Sequence, residues 1–205
     1  MTAVVDYGVG NLFSLRCSLG AIGQETAVTG DGGEILRADR IILPGVGAFG
    51  DAAAKLRETG LDEVLKEAAR RGIPILGICL GMQLLFEESS EYGRHRGLGL
   101  VEGTVEPLLG DIPAGLKVPQ MGWNALDIVR PDCPLFRYTA PGEHFYFVHS
   151  YYGKNCAASL AASCEYGIPV TAAVWRGRVF GCQFHPEKSG RAGLRLLKAF
   201  CEVTP

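Results

Sequence analysis

IPILGICLGMQLLF, residues 73–86, joins an almost wholly apolar run to a cysteine flanked by glycines, and then to a short helical pattern. An apolar run of this kind suits a central strand covered by helices on both faces of a parallel sheet. RIILP at 40–44 has the same texture. Upstream of it lie AVVDY at 3–7, a helical pattern over Leu12–Ile22 and ETAVT at 25–29. Between the two apolar runs, one helical stretch is expected from Ala48 to Arg71. Its Leu56, Leu61, Val64, Leu65 and Ala68 form a stripe opposite Lys55, Arg57, Glu63, Lys66 and Glu67. Alternation of strands with helices is the signature of βαβ units.

Beyond residue 90 the texture becomes strand-like, near Leu98–Glu106, Asn124–Val129, His144–Tyr152, Ala157–Ala162, Val170–Trp175 and Arg178–Phe184, with turns between them. The chain closes on a helix carrying Leu194, Leu197 and Cys201. The predicted fold is therefore α/β and three-layered. A mostly parallel central sheet is flanked by helices and extended by antiparallel or mixed strands in the second half. Residues 1–205 are expected to form a single domain.

The composition narrows the function. A net charge of −2 with mixed signs shows neither a nucleic-acid footprint nor an acidic tail. The start lacks a signal-peptide pattern, and no apolar run approaches the roughly 20 residues that span a bilayer. Seven cysteines with no CxxC pair argue against a disulfide framework and a structural zinc site. A cytoplasmic protein with reduced, mostly buried thiols is expected.

Cys79 stands between strand and helix, with Gly77 two residues before it and Gly81 two after. This is the spacing of a nucleophile elbow, in which a strained turn exposes the nucleophile and glycines avoid collisions. The helix start favours the thiolate, and the Leu80 amide would donate to an oxyanion. The plain alternative is a core cysteine ending a strand. A nucleophilic cysteine needs a base, and the chain has only four histidines. His185 closes the run VFGCQF and is followed by Pro186 and Glu187, so that a carboxylate can orient one imidazole nitrogen while the other faces sulfur. His95 lies in the charged stretch EYGRHRG and is expected to be solvated. His149, among aromatics, reads as a core or supporting histidine, and His144 has no evident role.

PGVGAFG at 44–50 matches the dinucleotide fingerprint G-x-G-x-x-G, but it follows the third β-like run rather than the first and leaves Cys79 and HPE unexplained. It reads better as a glycine loop whose amides near Val46 and Gly47 supply a second oxyanion donor. Glycines on both sides of Val46 leave a peptide free to rotate, which makes the loop a point of regulation. Asn11, in DYGVGN, is placed to cap the next helix.

Together these residues resemble the class I, triad-type glutamine amidotransferases, with a flavodoxin-like sheet. DYGVGN, LPGVGAF, MGWN, YFVHSY and HPEKS resemble more narrowly the glutaminase subunits of imidazole glycerol phosphate synthases. The resemblance spans the chain. It implies Cys79 as nucleophile, His185 as acid and base, and Glu187 as orienter, with glutamine held by Gly45, Gly47, Gln83, Glu91, Ser150 and Tyr151. No metal or organic cofactor is implied. It also implies a heterodimer with a (β/α)8 cyclase subunit, which uses the ammonia to make imidazole glycerol phosphate and an aminoimidazole carboxamide ribotide in histidine biosynthesis. Asn11, Met121, Trp123, Tyr146 and Lys188 would face that subunit; alternatively, Trp123 and Tyr146 are core aromatics and Lys188 a solvated charge starting the last helix. Gln120 departs from the family's usual His. Rivals are another class I glutaminase, a free-standing cysteine hydrolase and a nucleotide-binding module.

Overall fold

The computed structural model describes residues 1–204. The first half runs β1 (Thr2–Val5), α1 (Leu12–Ala21), β2 (Thr26–Thr29), a one-turn α2 (Gly32–Ile35), β3 (Arg40–Leu43), α3 (Phe49–Glu58), α4 (Leu61–Arg70), β4 (Ile75–Ile78) and a short α5 (Leu80–Leu84). The second half runs β5 (Glu88–Ser89), β6 (His95–Arg96), β7 (Thr104–Pro107), β8 (Gln120–Ala125), β9 (Asp127–Ile128), β10 (His144–His149), β11 (Tyr151–Lys154), β12 (Leu160–Glu165), β13 (Pro169–Arg176), β14 (Val179–Cys182) and α6 (Gly190–Cys201).

Eight strands form the main sheet in the order β2-β1-β3-β4-β14-β13-β12-β9. The five from β2 to β14 are mutually parallel, and β13, β12 and β9 extend them antiparallel. Alternate residues of the parallel strands point to opposite faces. Val4, Ile42 and Leu76 pack with Leu15 and Leu19 of α1 and Leu196, Leu197 and Phe200 of α6. Ala3, Val5, Ile41, Leu43 and Ile75 pack with Leu56 of α3 and Leu61 and Leu65 of α4. This is the three-layer α/β fold expected, and no helix among the described residues is long and apolar enough to cross a membrane.

Several boundaries differ from the sequence reading. The stretch Ala48–Arg71 is two helices, because Gly60 at φ +72° ends one and begins the other. The buried positions jump by five residues from Leu56 to Leu61, so the apolar stripe shifts at the break instead of keeping three- and four-residue intervals. The strand near Leu98–Glu106 is confined to Thr104–Pro107. The amides of Leu98, Leu100 and Val101 instead donate to carbonyls of Leu84 and Leu85, capping α5. The strand expected over Ala157–Ala162 begins at Leu160, and the run Asn124–Val129 is divided between the end of β8 and β9, which lie in different sheets. The run His144–Tyr152 splits at Ser150: β10 pairs with β8 in a two-stranded sheet, and β11 joins a four-stranded sheet ordered β11-β7-β5-β6. These strands stand beside the main sheet rather than extending it.

Candidate active site

β3, β4 and β14 are adjacent and parallel, so their carboxyl ends lie side by side. The glycine loop follows β3, Cys79 follows β4, and Gln183–Glu187 follows β14. Crevices at such carboxyl ends are where open α/β sheets take ligands.

Cys79 occupies φ +55°, ψ −112°, a strained backbone for any residue with a side chain. Its amide donates to the Cys182 carbonyl at 2.8 Å, tying the turn to β14. The glycines have steric reasons. A Cβ on Gly77 would lie 2.5 Å from the Gly81 oxygen, and one on Gly81 only 1.8 Å from the Leu43 oxygen. The elbow expected of the sequence is therefore present in the backbone.

His185 is buried, and its Nδ1 donates to Glu187 Oε1 at 2.8 Å, which leaves Nε2 as the nitrogen for sulfur. Burial works against the cationic ring, but hydrogen bonding to Cys79 and to Glu187 outweighs it and pushes the pKa up to about 9. The backbone is fixed too. The His185 amide donates to the Tyr146 carbonyl at 2.9 Å, and the Ser189 hydroxyl donates to the His185 carbonyl at 2.7 Å.

Around Cys79 opens a cleft of about 330 Å³ lined by Val46, Gly47, Leu80, Gln83, Glu91, Ser150, Tyr151, His185 and Lys188 among others. Gly45 is not on its wall. With Asn11 and Glu187 it lines a smaller crevice behind the triad. Both hydrogens of the Gln83 amide are engaged, one donated to the Tyr151 carbonyl at 2.9 Å and one to Gln183 Oε1 at 3.0 Å. Gln183 had escaped the sequence reading. It is fully buried, and its amide lies 3.7 Å from Cys79 Sγ. The signal available was a lone amide inside the apolar run VFGCQF.

His149 lines the cleft as a supporting histidine. Its Nδ1 donates to the Tyr151 carbonyl at 2.9 Å, and burial holds its pKa down at about 4, so the ring is neutral. His95 is half-buried rather than solvated, because its ring packs over Gly50. The α3 amide that a dinucleotide phosphate would need, that of Phe49, donates to Glu91 Oε2 at 2.6 Å. This geometry disfavours the nucleotide reading of PGVGAFG. Among the described residues no group of three His, Cys, Asp or Glu side chains is placed to hold a metal ion.

Met121 and Trp123 are 63% and 54% exposed, so Trp123 is not a core aromatic. The Trp123 and Tyr146 rings sit 6.0 Å apart, edge to face, and Lys188 Nζ lies 6.0 Å from the Tyr146 ring centroid. Lys188 belongs to the 3-10 turn Pro186–Lys188 ahead of α6, not to the helix itself. Asn11 caps α1, its side chain accepting from the Ser14 amide at 3.4 Å. Gln120 is fully buried and donates to Asn124 Oδ1 at 3.0 Å, so it supports β8 from within while Met121 faces out.

This arrangement has close counterparts. The chain is 50% identical over 202 residues to the imidazole glycerol phosphate synthase subunit HisH of Moorella thermoacetica, covering 98% of this chain and 94% of that one. It is 49% identical to the subunit of the same name from Lactiplantibacillus plantarum, covering 99% and 96%. A solved glutamine amidotransferase superposes with a TM-score of 0.74 at 19% identity, covering 97% and 98% of the two chains. The structure of PurLQS from Thermotoga maritima gives the same TM-score at 22% identity, covering 98% and 96%. The pattern of the family described as "Glutamine amidotransferase class-I" matches residues 3–203. With that pattern spanning the elbow and the loops on either side of it, the chain belongs to the class I glutamine amidotransferases.

Proposed function

We propose that this chain is the glutaminase subunit of an imidazole glycerol phosphate synthase. It hydrolyses glutamine to glutamate and ammonia and hands the ammonia to a cyclase subunit for histidine biosynthesis. The observation that carries the reading is Cys79 on its strained elbow, facing a buried His185 whose Nδ1 is held by Glu187, in a chain half identical along its length to subunits of that name.

In this mechanism the Cys79 sulfur attacks the side-chain amide carbon of glutamine. The new C–S bond drives the carbonyl electrons onto oxygen, where the Leu80 amide and an amide of Val46 or Gly47 receive them. As the carbonyl re-forms, the C–N bond breaks and His185 delivers its proton to the leaving nitrogen. Ammonia departs, and a γ-glutamyl thioester remains. Water then gives a proton to His185 and adds to the thioester; collapse breaks the C–S bond and yields glutamate and the thiolate. Glu187 fixes the tautomer and orientation of the ring. Since the Gln83 amide hydrogens are committed, its carbonyl oxygen and the Glu91 carboxylate are the acceptors for the substrate ammonium, with Gly47, Ser150 and Tyr151 completing the pocket and Gly45 packed behind it.

The exposed Met121, Trp123 and Lys188, with the half-buried Tyr146 between them and Asn11 at the edge, form the docking face for the cyclase. The glycine loop makes turnover depend on that partner. Unpaired thiols at all seven cysteines support a cytoplasmic setting. Cys79→Ala should abolish glutamine-driven synthesis by the two-subunit complex while synthesis from ammonium persists. Glutamine-driven turnover in Cys79→Ala would overturn the assignment.

A further inference from the structure

The loop after β3 changes character within two residues. Pro44 and Gly45 are buried, whereas Val46 and Gly47 are exposed. Gly45 is wedged: a Cβ there would lie 2.8 Å from the Gly81 amide nitrogen and 2.9 Å from Leu80 Cβ. At Gly47, with φ +92°, a Cβ would meet nothing within 4 Å. The loop therefore has a clamped end and a free end, and the free end lies beside Cys79.

One side chain makes the clamp. Tyr7, in the segment after β1, is 3% exposed, and its hydroxyl donates to the Pro44 carbonyl at 2.9 Å. The same oxygen is the third atom, at 2.9 Å, that a Cβ on Gly45 would strike. Gly10 leans on Pro44 from the same segment, a Cβ there falling 3.2 Å from the proline ring. Burial, reinforced by the nearby Cys79, raises the Tyr7 phenol well above its ordinary value, so it remains a donor across the working pH range. Turning the planar Pro44–Gly45 peptide would break this bond and leave a buried hydroxyl and carbonyl unpaired, so the peptide is held in one orientation.

We propose that Tyr7 is a positioning residue for the oxyanion hole: its bond to Pro44 immobilises the Pro44–Gly45 peptide, so that rotation is confined to the Val46 and Gly47 amides. The proposal rests on the reading of this loop as an oxyanion donor. Tyr7 touches no reacting atom. It sets where the movable amides pivot, and a donor displaced by about 1 Å loses much of its effect on the transition state.

The test is Tyr7→Phe, which removes the hydroxyl and keeps the ring, assayed in the full chain bound to its cyclase subunit. Two rates are read: ammonia release from glutamine, and alkylation of Cys79 by iodoacetamide, a displacement that develops no oxyanion. The expected result is a fall in kcat of about tenfold to a hundredfold, with KM within twofold and the alkylation rate unchanged. An unchanged kcat overturns the proposal. Loss of turnover and alkylation together, or a variant that does not fold, assigns Tyr7 to stability alone and overturns it as well. The wild-type complex separates this from the reading beneath it: if that complex releases no ammonia, the glutaminase assignment fails first.

Discussion

Cys79 keeps a positive φ that costs a non-glycine residue roughly 1–3 kcal/mol, and it is met by a histidine whose proton is retained to about pH 9. Glu187 helps hold that proton. Glu187→Gln should lower kcat by about 10²- to 10⁴-fold and move the alkaline limb of the pH profile to lower pH; a profile ending at the same pH would contradict this. The two cleft histidines also act on stability with opposite signs. His185, raised in the fold, adds stability that is full below its unfolded value of about 6.5 and lost as pH climbs through about 9. His149, depressed to about 4, makes the fold bind fewer protons than the unfolded chain, so stability falls as pH drops from about 6.5 to 4, by about 1 kcal/mol per unit. Thermal melts of His149→Gln should therefore lose less than wild type between pH 7 and pH 4.5. Cys79, His185 and Glu187 were legible because reactive residue types stood at strand ends with glycine or proline beside them. Gln183 was not, since a buried amide is recognised by its partners, Gln83 and Cys79, which are remote in sequence.

The elbow joins β3, β4 and α5 through glycine contacts too close for any Cβ. Gly81→Ala, forcing a carbon to 1.8 Å from the Leu43 oxygen, should cost about 3 kcal/mol of unfolding free energy. Denaturant titration reads this directly, and a loss below about 0.5 kcal/mol would mean that the strand and helix are not so tightly apposed. Parallel strands and their helices announced themselves as apolar runs and stripes. The break at Gly60 was marked only by the five-residue step from Leu56 to Leu61, a single irregular interval in an otherwise helical pattern. The segment from Leu98 to Gly103 misled in the opposite way. Its apolar residues resemble a strand, yet its amides satisfy the open end of α5. Local pattern records burial, whereas the partner of each amide is decided by tertiary placement.

At the scale of the molecule, two features remain on the surface that a lone subunit would hide: Met121 and Trp123, standing on β8 beside Tyr146 and Lys188. Trp123→Ala should leave the stability of the free chain within about 0.5 kcal/mol and weaken binding to the cyclase by about 2 kcal/mol or more, roughly thirtyfold, in a fluorescence or calorimetric titration. Equal affinity would move the docking face elsewhere. That face was read from resemblance rather than from pattern, since alternation along MGWN does not say whether the outward side meets solvent or a partner. Nor did the sequence show that β8 and β10 leave the main sheet to present it. Glutamine is opened at Cys79 and at no other thiol of the chain. Labelling the cyclase-bound chain with the glutamine-like electrophile 6-diazo-5-oxo-L-norleucine, followed by peptide mass spectrometry, tests it. The expected result is one adduct, on Cys79, appearing in step with the loss of ammonia release and sparing the other six cysteines. Inactivation without that adduct, or full labelling of Cys79 with glutamine turnover intact, would contradict it.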